Sequence, residues 1–311
     1  MLSSRCSPSE ATVTQSEHTP HVEGVNMGTY VGFKHVAYTL QAGVYAHLRR
    51  NGMGARVLYD EFGVHFELTG MDVTLRSGML LDDAVYVTVE PCHDEESRSL
   101  RFRCLASVVR ESGRVVVATG ELSGQLTRLS NDPRFTDRRK PEPLLGAWIH
   151  EDIPMVDAEH PIPVRGREHL GVTWTQRLGY VYGHYFGPLY VDAYLRILED
   201  AKDRFMVEIG CPLEQLAATE GLVPMVTRFN LHLESIANMG VSATIDYHVT
   251  NIIKRLLYDA AFQAWELLGD GMGRPLVTGS IQHGYAWLHN GRRASLTDLP
   301  TPLLSKFGVA W

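Results

Sequence analysis

Cysteine is scarce in this chain. The 311 residues hold four, Cys6, Cys92, Cys104 and Cys211, and no two form a CxxC pair. A disulfide framework is therefore excluded, and a reduced, cytoplasmic chain is the simple expectation. No apolar run is long enough to cross a membrane, and no block of like charge marks a tail for nucleic acid. The 29 basic and 36 acidic side chains leave a net charge of −7, a mild acidity unsuited to polyanions. A P-loop, an HExxH helix and a cysteine–histidine cluster with zinc spacing are all missing, so neither metal nor cofactor is expected. What is present, 44% hydrophobic and 21% charged residues, is an ordinary globular balance at a length that fits two domains.

Residues 1–22 are rich in Ser, Thr, Glu and Pro and lack the apolar core of a secretion signal. They read as a disordered leader. Beyond them the main signal is a weak internal repeat with a period of about 158 residues. Three segments pair in order at nearly the same offset: 33–52 with 191–210, 81–90 with 238–247, and 116–122 with 275–281. In the last pair, Ala118-Thr119-Gly120 lies against Val277-Thr278-Gly279.

Each half reads as a long helix followed by strands. Phe33, Val36, Leu40, Val44 and His47 recur at helical spacing before Asn51-Gly52, and Tyr190, Tyr194, Ile197, Ala201 and Phe205 recur before Gly210. Glycine just past the last turn is a helix stop, and Pro188 reads as a first-turn proline of the second helix. Phe102, Cys104, Ala106 and Val108 alternate with polar residues, as do the runs 241–249 and 256–264. Such alternation gives a sheet with one apolar face, which a helix with one apolar stripe can cover. Gly269-Asp270-Gly271-Met272-Gly273 lies between two strand patterns and reads as a hairpin turn rather than a nucleotide loop. The proline-rich stretch 131–170 reads as a linker. The expected organisation is a first domain over 23–130, that linker, and a second domain over 171–311.

The stretch Tyr182-Gly183-His184-Tyr185-Phe186-Gly187-Pro188-Leu189-Tyr190 runs straight into the second helix, which carries Tyr194 and Glu199. This resembles hotdog thioesterases of the 4-hydroxybenzoyl-CoA thioesterase type, in which an Asp-containing turn is followed by Gly-His and then by a long helix bearing a tyrosine and a glutamate. The resemblance covers about 100 residues of the second half, including 222–240, and reaches the first half through the repeat. It implies an α+β double hotdog, two antiparallel sheets each wrapped around a long central helix. One position departs from the pattern: Tyr180 stands where many members carry an acid, four residues before the histidine.

The resemblance also implies roles. Thioester hydrolysis needs a base for water and donors for the developing oxyanion. Glu199 would act as base or nucleophile, with Glu23 as a substitute for the missing acid. His184 and Asn26, its counterpart in the repeat, would position the carbonyl. Backbone N–H groups of the turn from Gly183 to Pro188 would serve as oxyanion donors beside Tyr182 and Tyr190. In a double hotdog the sites form where the halves meet, so Tyr30, His35 and Gln41 would contribute from the first half. Gln41 aligns with Glu199, so the two halves carry unequal sites.

The implied activity is hydrolysis of an acyl-CoA or acyl-carrier-protein thioester. A dehydratase or hydratase, an acyltransferase/decarboxylase of a polyketide-type pathway, and a non-catalytic acyl-thioester-binding protein are the alternatives. The expected partner is the acyl-CoA or acyl-carrier-protein substrate, with no nucleic acid and no membrane; homo-oligomerisation stays open.

Overall fold

The computed structural model describes residues 12–92, 99–128, 143–150, 159–163, 170–184, 187–289 and 293–308. The chain divides into two compact units, Met1–Asn26 with Tyr30–Pro154, and Met27–Thr29 with Met155–Trp311.

The first unit contains β1 (Thr14–His18), the 18-residue helix α1 (Phe33–Arg50), β2 (Val64–Leu75), β3 (Val85–Pro91), β4 (Leu100–Arg110) and β5 (Gly113–Arg128). The strands pair antiparallel in the order β1-β3-β4-β5-β2. The stripe Phe33, Val36, Leu40, Val44 and His47 is buried, as the spacing predicts. Gly43 lies where α1 meets β3, and a Cβ there would come within 2.4 Å of Val87. The glycine thus sets how closely helix and strand approach.

The second unit repeats the plan. It has β6 (Gly171–Arg177), the 18-residue helix α2 (Val191–Glu208), the short α3 (Leu213–Glu220), β7 (Leu222–Leu233), β8 (Ser242–Ile253), β9 (Leu257–Gly269), β10 (Met272–His289) and the closing α4 (Thr301–Lys306). Strand order is β6-β8-β9-β10-β7, again antiparallel.

The long helices end alike. Gly52 and Gly210 adopt φ of 79° and 77°. Met53 N–H reaches the Leu48 carbonyl and Cys211 N–H the Met206 carbonyl, both at 2.8 Å, while Gly52 and Gly210 bond to Arg49 and Val207. This is the paired carbonyl capping that a left-handed glycine permits. The turn at Asp270-Gly271 is a two-residue hairpin with both φ values positive, 49° and 74°, and Gly269 pairs with Met272 across it.

Three expectations change. The leader is not disordered throughout, because Thr14–His18 forms an edge strand on β3. Such a strand needs no apolar run: its main chain pairs with β3, the Thr14 hydroxyl meets His47 Nδ1 at 3.0 Å, and Arg50 donates to the Gln15 carbonyl. In both units a strand therefore precedes the long helix. Pro188 is not in the first turn of α2; it forms an antiparallel bridge with Asn238, and Tyr190 is the residue that precedes the helix. The segment 131–170 also holds short helix Pro143–Gly146 and the two-residue strands Ile149–His150 and His160–Pro161.

Candidate active site

The turn before α2 is held from several sides. Gly183 forms a bridge with Leu189, Leu189 N–H donates to the Ala237 carbonyl, and Met239 N–H donates to the Gly187 carbonyl. Arg196, one turn into α2, donates to the carbonyl of Val181 and ties the Tyr180–Tyr182 turn to the helix. This arrangement folds the chain back so that His184 faces the start of α2. Its Nε2 lies 3.8 Å from Oδ2 of Asp192, and its ring centroid lies 5.2 Å from that of Tyr190. His184 is half-exposed, whereas Asp192 and Tyr190 are largely covered.

Asp192 is thus the acid that faces His184. No spacing signal marks it, since eight residues separate the two and only the turn brings them together. Its position in the first turn of α2 favours a carboxylate there, next to the positive end of the helix dipole.

The other expected residues are placed as follows. Glu199 is half-buried on α2, seven residues past Asp192 and so about 10 Å further along the axis at the usual helical rise. Its carboxylate acts on Lys202 instead. Tyr182 ends a 3-10 turn and is half-buried. The oxyanion role expected of the turn's main chain does not hold for three of its N–H groups: Gly183 donates to Tyr180, His184 to Pro188 and Gly187 to His184. Those donors are consumed in holding the turn. Residues 185–186 lie outside the described residues.

In the first unit, Glu23 is exposed within the 3-10 turn Val22–Gly24. Asn26 belongs to the short strand Val25–Met27, with its side chain outside the described residues. Tyr30 packs its ring over Gly78, His35 is buried against Gly24 and meets Tyr38 edge to face at 5.3 Å, and Gln41 is half-buried on α1.

Sequence reading also missed two groups of buried polar residues. On β2, His65 and Glu67 are both buried, with Nε2 and Oε2 3.6 Å apart, and burial holds the Glu67 carboxyl above its usual range against the pull of His65. Inside the second unit lie Lys202, His283, Tyr247, Tyr258 and Tyr285, all buried. Burial lowers Lys202 to about 7, with Glu199 and Asp203 opposing, and lowers His283 well below its ordinary value, helped by Lys202. The three phenols are raised by the same desolvation. Among the described residues, no group of three or more His, Cys, Asp or Glu is placed to hold a metal, and no helix is long and apolar enough to cross a membrane.

No protein-family model matches the chain, and no curated protein matches it. Solved structures do. The 12:0-ACP thioesterase of Umbellularia californica aligns over 91% of this chain and 94% of its own, with a TM-score of 0.61 at 9% identity. A protein of Lactobacillus plantarum assigned as an oleoyl thioesterase aligns over 89% and 98%, with a TM-score of 0.60 at 11% identity. The acyl-ACP thioesterase of Bacteroides thetaiotaomicron aligns over 87% and 97%, with a TM-score of 0.54 at 11% identity. At such identities the likeness is one of fold, and it runs along nearly the whole chain: this is the tandem hotdog fold.

Proposed function

We propose that this protein is an acyl-thioester hydrolase acting on an acyl-CoA or acyl-carrier-protein thioester. It is built as two hotdog domains, each with its antiparallel sheet curled around one long helix. The first extends from β1 through β5, the second spans 171–311, and the stretch between them links the two. A fold alone does not set function, so the reading rests on the site. The observation that carries it is the pairing of His184 with Asp192 at the start of α2.

In this reading Asp192, rather than Glu199 or Glu23, accepts a proton from water. The water oxygen adds to the thioester carbonyl while His184 orients the reacting groups. The oxyanion is stabilised by the positive end of α2 and the N–H groups of Val191 and Asp192, in place of the turn amides and the Ala193 N–H, which are engaged. Collapse breaks the C–S bond, and the proton held by Asp192 passes to the leaving thiolate. Tyr182 and Tyr190 shape the mouth of the site. Asn26, Tyr30, His35 and Gln41 stay proposed as site residues within the first unit.

A histidine beside a carboxylate also suits dehydration or hydration of an acyl thioester, which is the second reading. A thiol-release assay over a panel of acyl-CoA and acyl-carrier-protein substrates, with mass spectrometry of the products, separates the two. Free acid and thiol support hydrolysis; gain or loss of water with the thioester intact supports the second reading. Asp192→Asn should lower turnover by roughly 10²- to 10⁴-fold, the usual loss when a positioned base is removed. Turnover that survives in Asp192→Asn but is lost in Glu199→Gln would return the base to Glu199.

A further inference from the structure

The interior of the second unit differs from that of the first in one respect that the fold does not require. Strand register makes the comparison direct. Val89 pairs with Cys104 and Cys104 with Gly120 in the first unit; Tyr247 pairs with Phe262 and Phe262 with Gly279 in the second. By the same register Leu100, paired with Gly124, corresponds to Tyr258, paired with His283. Leu126 corresponds to Tyr285, and Val44 to Lys202, each eight residues before the glycine that closes its helix. Four buried aliphatic residues and a glycine in one unit are thus replaced by three phenols, an amine and an imidazole in the other, with burial unchanged.

These polar groups satisfy one another only in part. The phenols interact in series, Tyr247 with Tyr258 and Tyr258 with Tyr285, and Tyr285 also meets the sulfur of Met206 at 3.4 Å, but neither ring nitrogen of His283 has a hydrogen-bond partner. The groups are nonetheless gathered. The His283 ring lies 5.1 Å from Tyr258 and 6.4 Å from Tyr247, and Lys202 is near enough to depress the basicity of His283. Unpartnered buried polar atoms destabilise a fold, and several in one place call for a partner outside the chain.

The cluster lies on a line with the candidate active site. Asp192, Leu195, Glu199, Lys202 and Met206 succeed one another at three- and four-residue steps along one stripe of α2. From Asp192 to Lys202 is ten residues, or about 15 Å along the axis, a length on the scale of a medium-chain acyl group. We propose that the interior of the second unit binds an acyl chain bearing a hydroxyl or keto oxygen far from its thioester, with that oxygen held by Tyr247, Tyr258, His283 and Lys202. The proposal rests on the thioesterase reading for its substrate, not for its test. A plain alkyl terminus would leave the His283 nitrogens unpaired, and an interior lined like that of the first unit would suit it better. Burial disposes His283 to be neutral near pH 7 and brings Lys202 to about half protonation there, so both can take part in hydrogen bonds to an oxygen group.

The experiment is calorimetric titration of the full chain with dodecanoate and with 12-hydroxydodecanoate, which reads binding without turnover. The hydroxylated chain should bind about tenfold more tightly, equivalent to about 1.4 kcal/mol. Tyr258→Phe should bring the two to within about twofold, and Tyr247→Phe provides the same comparison if the first variant folds poorly. Equal or weaker binding of the hydroxylated chain, binding of neither, or a preference untouched by both variants overturns the proposal. So does a crystal structure in which ordered waters alone satisfy His283 and the phenols in the presence of the hydroxylated chain. Hydrolysis is read separately by thiol release, so loss of the enzymatic reading and loss of this one are distinguishable.

Discussion

Lys202 offers a quantitative test of what the second unit's interior costs. Its ammonium is buried, and desolvation brings it from 10.5 down to about 7, against the opposing charges of Glu199 and Asp203. At 1.36 kcal/mol per unit, that difference amounts to an upper bound of about 5 kcal/mol. Because the folded chain holds the proton less well than the unfolded chain, lowering the pH from about 10.5 to about 7 should steadily destabilise the native state, with the penalty level below that. Lys202→Met keeps the length of the side chain and removes the titration, and the corresponding residue of the first unit is already an aliphatic Val44. The variant should be more stable than the parent at pH 7, by at least about 2 kcal/mol after discounting for relaxation around the amine. That advantage should shrink toward zero near pH 10.5. Urea unfolding of both proteins across this window gives the answer, since titrations common to both cancel in the difference. A stability difference that stays constant from pH 7 to 10.5 would refute the argument that Lys202 is buried against its charge.

Glu67→Gln should raise the melting temperature at neutral pH and leave it unchanged near pH 4: burial raises the carboxyl's pKa, so the folded state's penalty grows as pH climbs above the unfolded value and vanishes in acid. Gly43→Val should cost about 1–3 kcal/mol by denaturant unfolding, because even a Cβ would press on Val87 at 2.4 Å; unchanged stability would show that α1 can move off β3. Deleting residues 1–20 removes β1 and exposes the edge of β3, and should lower the melting temperature by several degrees; no change would mean that the β1–β3 pairing contributes nothing.

Much of the architecture is local and could be read from one dimension. Helical spacing from Phe33 to His47 and from Tyr190 to Phe205, with Gly52 and Gly210 behind them, determined both long helices and their stops. Period-two alternation at Phe102–Val108 marked a strand, Asp270-Gly271 marked the hairpin between β9 and β10, and the offset between the halves marked a duplication. These features depend on neighbours along the chain, where residue type acts directly on backbone and burial. Thr14–His18 escaped because an edge strand draws on main-chain pairing with β3 rather than on apolar side chains. Asp192 escaped because its meaning comes from His184, which a turn of several backbone bonds folds back onto the helix. Lys202 and His283 look on the sequence like ordinary polar residues on a helix and a strand. Only tertiary packing, which closes α2 over β8, β9 and β10, takes them out of water and turns common side chains into unusual chemistry.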